Sequence, residues 1–149
     1  MLYEAARMAD SGELPENVLQ HPELQRYAAG WGRPDDLGFI AFTDAQPVGA
    51  AWLRRMADAS PASPASHWPE LAVGVLPSHR GRGIGTRLVE RLIAASSTRF
   101  PAITLNVRLD NPAIHLYERL GFHTIAGSEF TNWAGTVSIF MVLCFGGGR

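Results

Sequence analysis

The segment Arg80-Gly81-Arg82-Gly83-Ile84-Gly85-Thr86 has the makings of a phosphate-binding turn. It follows an apolar run, Glu70–Leu76, closed by Pro77, and it opens a stretch with helical spacing. Glycines let a ligand approach the backbone, and the first N–H groups of a helix have no intrahelical acceptor and face outward along its axis. Two ligand classes fit poorly. All thirteen basic residues are arginine, so there is no Walker lysine for a nucleoside triphosphate, no Schiff-base lysine and no lysine general base. A dinucleotide fingerprint needs a third glycine where Thr86 stands, and an acid at the end of the following strand, which instead closes on Val107-Arg108.

The elements that must hold this turn follow from periodicity and punctuation. Leu37–Thr43 and Val48–Arg55 read as the strands of an antiparallel hairpin around a turn at Asp44–Pro47. Glu70–Leu76 is a buried strand. Ile84–Ser97 is its helix, with Ile84, Leu88, Leu92 and Ala95 on one face and Arg87, Glu90 and Arg91 elsewhere. Ala102–Arg108 is the next strand. A helix at Pro112–Leu120 follows, with Asn111 as N-cap, proline in the first turn and Gly121 as terminator. Phe122–Ala126 and Thr136–Phe145 are the last strands, joined through Asn132-Trp133-Ala134-Gly135. Before the hairpin, Met1–Met8 and Glu16–Ala29 have helical patterns, the second interrupted at His21-Pro22. Ala57–Ser66 reads as a low-complexity surface loop, and the Gly-Gly-Gly-Arg end as a disordered tail.

Composition sets the broad class. With 149 residues, 46% of them hydrophobic, residues 1–149 are expected to form one domain around one core. A net charge of −1 argues against a nucleic-acid partner. No apolar run approaches the roughly 20 residues of a membrane span. The single cysteine, Cys144, is expected in the core; one cysteine allows no intrachain disulfide, in keeping with a cytoplasmic location. His21, His67, His79, His115 and His123 have no metal-ligand spacing, so no metal is expected. Trp31, Trp52, Trp68 and Trp133 are candidates to line a pocket for an apolar or aromatic amine, although packing is the commoner fate of tryptophan.

The pattern Arg80-x-x-Gly83-x-Gly85 resembles the acetyl-CoA pyrophosphate motif of the GNAT N-acetyltransferase superfamily. Val73-Gly74-Val75 stands at the family's spacing upstream. Downstream, Leu105-Asn-Val-Arg-Leu-Asp-Asn-Pro-Ala-Ile-His-Leu-Tyr-Glu-Arg-Leu-Gly-Phe122 resembles the family's second signature. The two signatures together span roughly Glu70–Phe122. The resemblance implies an α/β GNAT fold: a mixed, mostly antiparallel sheet with flanking helices, whose central strands Glu70–Leu76 and Ala102–Arg108 run parallel and splay apart to admit acetyl-CoA. The family's usual first strand is expected to be missing ahead of the N-terminal helix.

The resemblance also assigns roles. Main-chain groups of Val73, Gly74 and Val75 take the pantetheine arm, with an N–H near Val75 for the developing oxyanion. Backbone N–H groups of Gly81, Arg82, Gly83, Ile84, Gly85 and Thr86 receive the pyrophosphate, with Arg80 and Arg82 adding charge. Asn106 and Asn111 are cofactor contacts as well. Tyr117 lies beside the coenzyme sulfur and relieves the thiolate. Members that acetylate protein N-termini carry a glutamate at the position of Asn106; asparagine takes no proton at neutral pH, and Glu70 is the substitute candidate for general base. The implied activity is transfer of acetyl from acetyl-CoA, as co-substrate, to a primary amine of a small molecule or peptide, by direct attack in a ternary complex. A homodimer is an expectation by family analogy. The alternative is a GNAT-fold module that binds acyl-CoA without catalysis.

Overall fold

The computed structural model describes residues 31–56, 63–132 and 134–146. The expected N-terminal helices and the absence of a strand before them lie outside these residues. So do Trp133, the tail from Gly147 and most of the low-complexity loop.

Among the described residues, seven strands form one sheet. They are β1 (Leu37–Thr43), β2 (Gln46–Arg54), β3 (Glu70–Val75), β4 (Ala102–Arg108), β5 (His123–Thr124), β6 (Phe130–Thr131) and β7 (Val137–Cys144). Two helices are described, α1 (Ile84–Ser96) and α2 (Ala113–Arg119). The strand order is β1-β2-β3-β4-β7-β5, with β6 also on β7. Every pairing is antiparallel except β3 with β4, as expected.

The β1–β2 hairpin turns on Asp44 and Ala45 alone, with φ of 49° and 65°. Two successive positive φ angles match the twist of the strands they join, which ordinary turns do not. The second strand thus begins at Gln46, earlier than Val48, and includes Pro47. A proline is tolerated there because the ladder is already irregular between Ala41 and Phe42.

Alternation gives the sheet two unlike faces. Leu53, Leu71, Val73, Leu105, Val107, Ile139 and Met141 point to one side and join Leu88, Val89 and Leu92 of α1 in the core. Gly49 lets α1 approach: a Cβ there would stand 3.2 Å from Leu88 Cδ1 and 3.3 Å from Ile84 Cγ2. The other face carries Trp52, Arg54, Glu70, Thr104, Asn106 and Arg108. Cys144 is exposed, not in the core: on β7 the residues Ser138, Phe140, Val142 and Cys144 alternate with the core positions Ile139, Met141 and Leu143.

At the C-terminal end the expected strand Phe122–Ala126 shrinks to His123–Thr124. Ser128 diverts the chain there, its hydroxyl donating to Ile125 O at 2.6 Å and accepting from Phe140 N at 3.1 Å. The sequence shows no sign of β6. It forms because Asn132 ties off a turn, accepting from Thr136 N at 3.1 Å and donating to Ser138 Oγ at 2.7 Å.

Candidate active site

The site begins where the sheet comes apart. β3 and β4 share a single bridge, Glu70 with Thr104, where Thr104 N–H donates to Pro69 O at 2.9 Å. Beyond it the two strands part, although each keeps a full ladder on its other side, Gly49–Arg54 for β3 and Ser138–Cys144 for β4. Leu76 N–H donates to Val48 O at 2.8 Å, so the even residues of β3 bond to β2. The main-chain groups of Val73 and Val75 therefore face the gap. Gly74 bonds to β2, and it adds to the opening by placing no side chain on Glu70's face.

At the mouth of the gap the chain makes a 3₁₀ turn, Pro77–His79, and then the glycine turn. Gly81 and Gly83 hold φ of 75° and 80°, a left-handed conformation that favours glycine. Gly83 caps α1 without a side-chain bond, and no acidic residue lies in the helix's first turn. Arg87 N–H, to Gly83 O at 3.0 Å, makes the first helical bond, so the N–H groups of Ile84, Gly85 and Thr86 have no helical acceptor. A Cβ at Gly81 or Gly83 would meet nothing within 4 Å, so open space lies in front of the turn. This arrangement fits a pyrophosphate. Arg80 donates from Nε to Val75 O at 3.0 Å, tying the turn back to the gap; Arg82 is exposed.

A carboxamide and a carboxylate face each other across the gap. Asn106 Nδ2 donates to Glu70 Oε2 at 3.1 Å. Glu70 is 4% exposed on the core strand, where an ionised carboxylate requires hydrogen bonds to remain charged. The Asn106 amide, expected to contact the cofactor, is thus turned to Glu70. Asn111 Oδ1 accepts from Ala113 N at 2.9 Å and caps α2 as expected, one residue before the assigned helix end.

Tyr117 projects from α2 into the core cluster, edge-on to Phe122 with ring centroids 5.9 Å apart. Burial pushes its phenol up to about 12, so the group is neutral and protonated at physiological pH. The residue as a whole is 7% exposed. His115, two residues earlier, is exposed and points elsewhere, as its position on the helix implies.

Sequence reading missed Asp36 and Arg54. Arg54 is fully buried on β2, directly opposite Glu70, and donates to Asp36 at 3.0 and 2.7 Å. The only signal was an arginine at an inward position of an apolar strand. Of the tryptophans, Trp52 is buried on this same face, Trp68 is half-buried beside His67, and Trp31 lies over the Arg54 guanidinium at 5.4 Å. No group of three or more potential metal ligands occurs among the described residues, and no described helix is long and apolar enough to cross a membrane.

Residues 3–122 match the model of the acetyltransferase (GNAT) family. Solved structures share the fold over nearly the whole chain. A ribosomal-protein-alanine N-acetyltransferase from Brucella melitensis is 23% identical with a TM-score of 0.64, the match covering 96% of this chain and 90% of that one. A Salmonella typhimurium protein solved with its cofactor acetyl-CoA is 21% identical, TM-score 0.62, covering 97% and 84%. A spermidine N-acetyltransferase chimera that includes Vibrio cholerae sequence is 20% identical, TM-score 0.63, covering 99% and 90%. At these identities the likeness is one of fold.

Proposed function

This chain belongs to the acetyltransferase (GNAT) family, and from that premise we propose that it transfers acetyl from acetyl-CoA to a primary amine of a small molecule or peptide, within a ternary complex. The observation that carries this reading is the gap between β3 and β4. The glycine turn stands at its mouth, Tyr117 projects from α2 into the core, and Glu70 with Asn106 lies on the sheet face away from α1. Donor and acceptor can enter from different sides and meet in the gap, an arrangement that lowers the entropic cost of a two-substrate reaction.

Acetyl-CoA supplies an activated thioester; the protein's residues supply the rest. The N–H groups of Gly81–Thr86 hold the pyrophosphate, with Arg80 and Arg82 adding charge. Val73 and Val75 hold the pantetheine arm through their main-chain groups, and an N–H near Val75 stabilises the oxyanion. Glu70, oriented by Asn106, takes the proton of the amine, directly or through water. Tyr117 donates a hydrogen bond to the departing sulfur. With a phenol near 12 and an ordinary thiol near 8.5, completed proton transfer is uphill by roughly 5 kcal/mol. The hydrogen bond itself is therefore the role assigned.

The test is release of free thiol from acetyl-CoA with a panel of amines, polyamines and peptides with free N-termini. Amine-dependent thiol release supports the enzyme. Tight acetyl-CoA binding with no release for any amine supports instead a binding module, the reading that asparagine at position 106 favours.

A further inference from the structure

Glu70 faces charged or polar groups on both neighbouring strands. On β2 its cross-strand partner is Arg54, in a hydrogen-bonded pair whose Cα atoms lie about 5.5 Å apart with both side chains on one face. On β4 the same face carries Asn106 and then Arg108. A cation within about 4–6 Å lowers a carboxyl pKa by roughly 1–3 units, and a general base weakened that far transfers protons less effectively.

Each arginine is provided with a carboxylate of its own, but the two pairs differ. Asp36, in the segment entering β1, accepts Arg54 Nε–H at 3.0 Å and Nη2–H at 2.7 Å, and its side chain is only 3% exposed. Backbone N–H groups of Gly32 and Arg33 fix the same carboxylate, each at 3.0 Å. Asp110, which accepts Arg108 Nε–H at 2.9 Å, is 70% exposed, so water screens that pair. Arg55 and Asp35 form an exposed pair of 3.9 Å at the end of β2. Losing Asp36 alone would remove a buried carboxylate from the fully buried guanidinium opposite Glu70.

We propose that Asp36 is a positioning residue for Glu70: it fixes Arg54 and offsets its charge, so that Glu70 keeps the basicity a proton acceptor needs. The catalytic meaning rests on the reading of Glu70 given above, whereas the coupling can be measured without it. The experiment is a carboxyl ¹³C NMR titration of the ligand-free protein labelled at glutamate, with the Glu70 resonance identified by its loss in E70Q. In D36N the Glu70 titration midpoint falls by about one pH unit or more. In R54Q, where a buried Asp36 carboxylate lacks its partner, the midpoint rises. In D36N/R54Q, which removes both charges of the pair, it returns to within about 0.3 unit of wild type. If D36N fails to fold, R54Q and the double variant decide the matter. An unmoved midpoint in the folded single variants, or a double variant displaced as far as a single one, overturns the coupling. Undiminished amine-dependent thiol release by E70Q overturns the catalytic meaning separately, whatever the titration shows.

Discussion

Tyr117 shows how two demands meet in one side chain. Its ring packs edge-on against Phe122 inside the core, while its hydroxyl offers one donor proton. Desolvation keeps the phenol protonated, so it is always available as a donor and never competes as an anion. Replacement by phenylalanine preserves the ring contacts and removes only that donor. We therefore expect Tyr117→Phe to lower turnover at least about ten-fold while the affinity for acetyl-CoA changes little, a split that steady-state kinetics and calorimetry read separately. Equal turnover on a true substrate would remove Tyr117 from the mechanism. Its position was legible in the sequence because the signature around it places a tyrosine on one helix face. That Asn106 turns to Glu70 was not legible, since it depends on the parallel register of two strands 36 residues apart.

The glycine turn and α1 act as a single element. Gly83 has a φ of 80° and an unobstructed position for a Cβ, so a side chain there costs backbone strain and causes no clash. For Gly83→Ala the expected loss is about 1–2 kcal/mol of stability by chemical denaturation. A weaker affinity for CoA accompanies it, because the same backbone presents the N–H groups to the ligand. CoA affinity equal to wild type, measured calorimetrically, would argue that the pyrophosphate is held elsewhere. At this scale the sequence was most informative. β1 and β4 have their expected limits, and α1 ends one residue early. Strong periodicity and glycine punctuation explain that success. β5 is shorter than expected and β6 escaped, because side-chain bonds of Ser128 and Asn132 define them and two residues carry no periodicity.

At the scale of the molecule, the sheet has one apolar face under α1 and one face that buries the Arg54–Asp36 pair. The pairing has a consequence for acid stability. The Arg54 guanidinium, with help from two backbone N–H groups, holds the Asp36 carboxyl below its usual 3.8 against the opposing effect of burial. A carboxyl depressed on folding contributes stability that is complete above its unfolded value and disappears as pH falls through its folded value. Urea unfolding of the wild type is thus expected to show a loss of stability below about pH 4 that D36N/R54Q does not share in full. Parallel acid profiles for the two proteins would contradict this.

From residue identities alone came the donor half of the reaction: a glycine turn without lysine, a tyrosine in its signature context, and the family these resemble. Those features are local, and the chain states them within a few turns of itself. Tertiary structure alone decided how Glu70 is furnished. A single bridge between β3 and β4, the Asn106 amide across the gap, and a buried Arg54 answered by Asp36 come from segments far apart in the chain. Their charges and hydrogen bonds acquire meaning only when the sheet removes them from water.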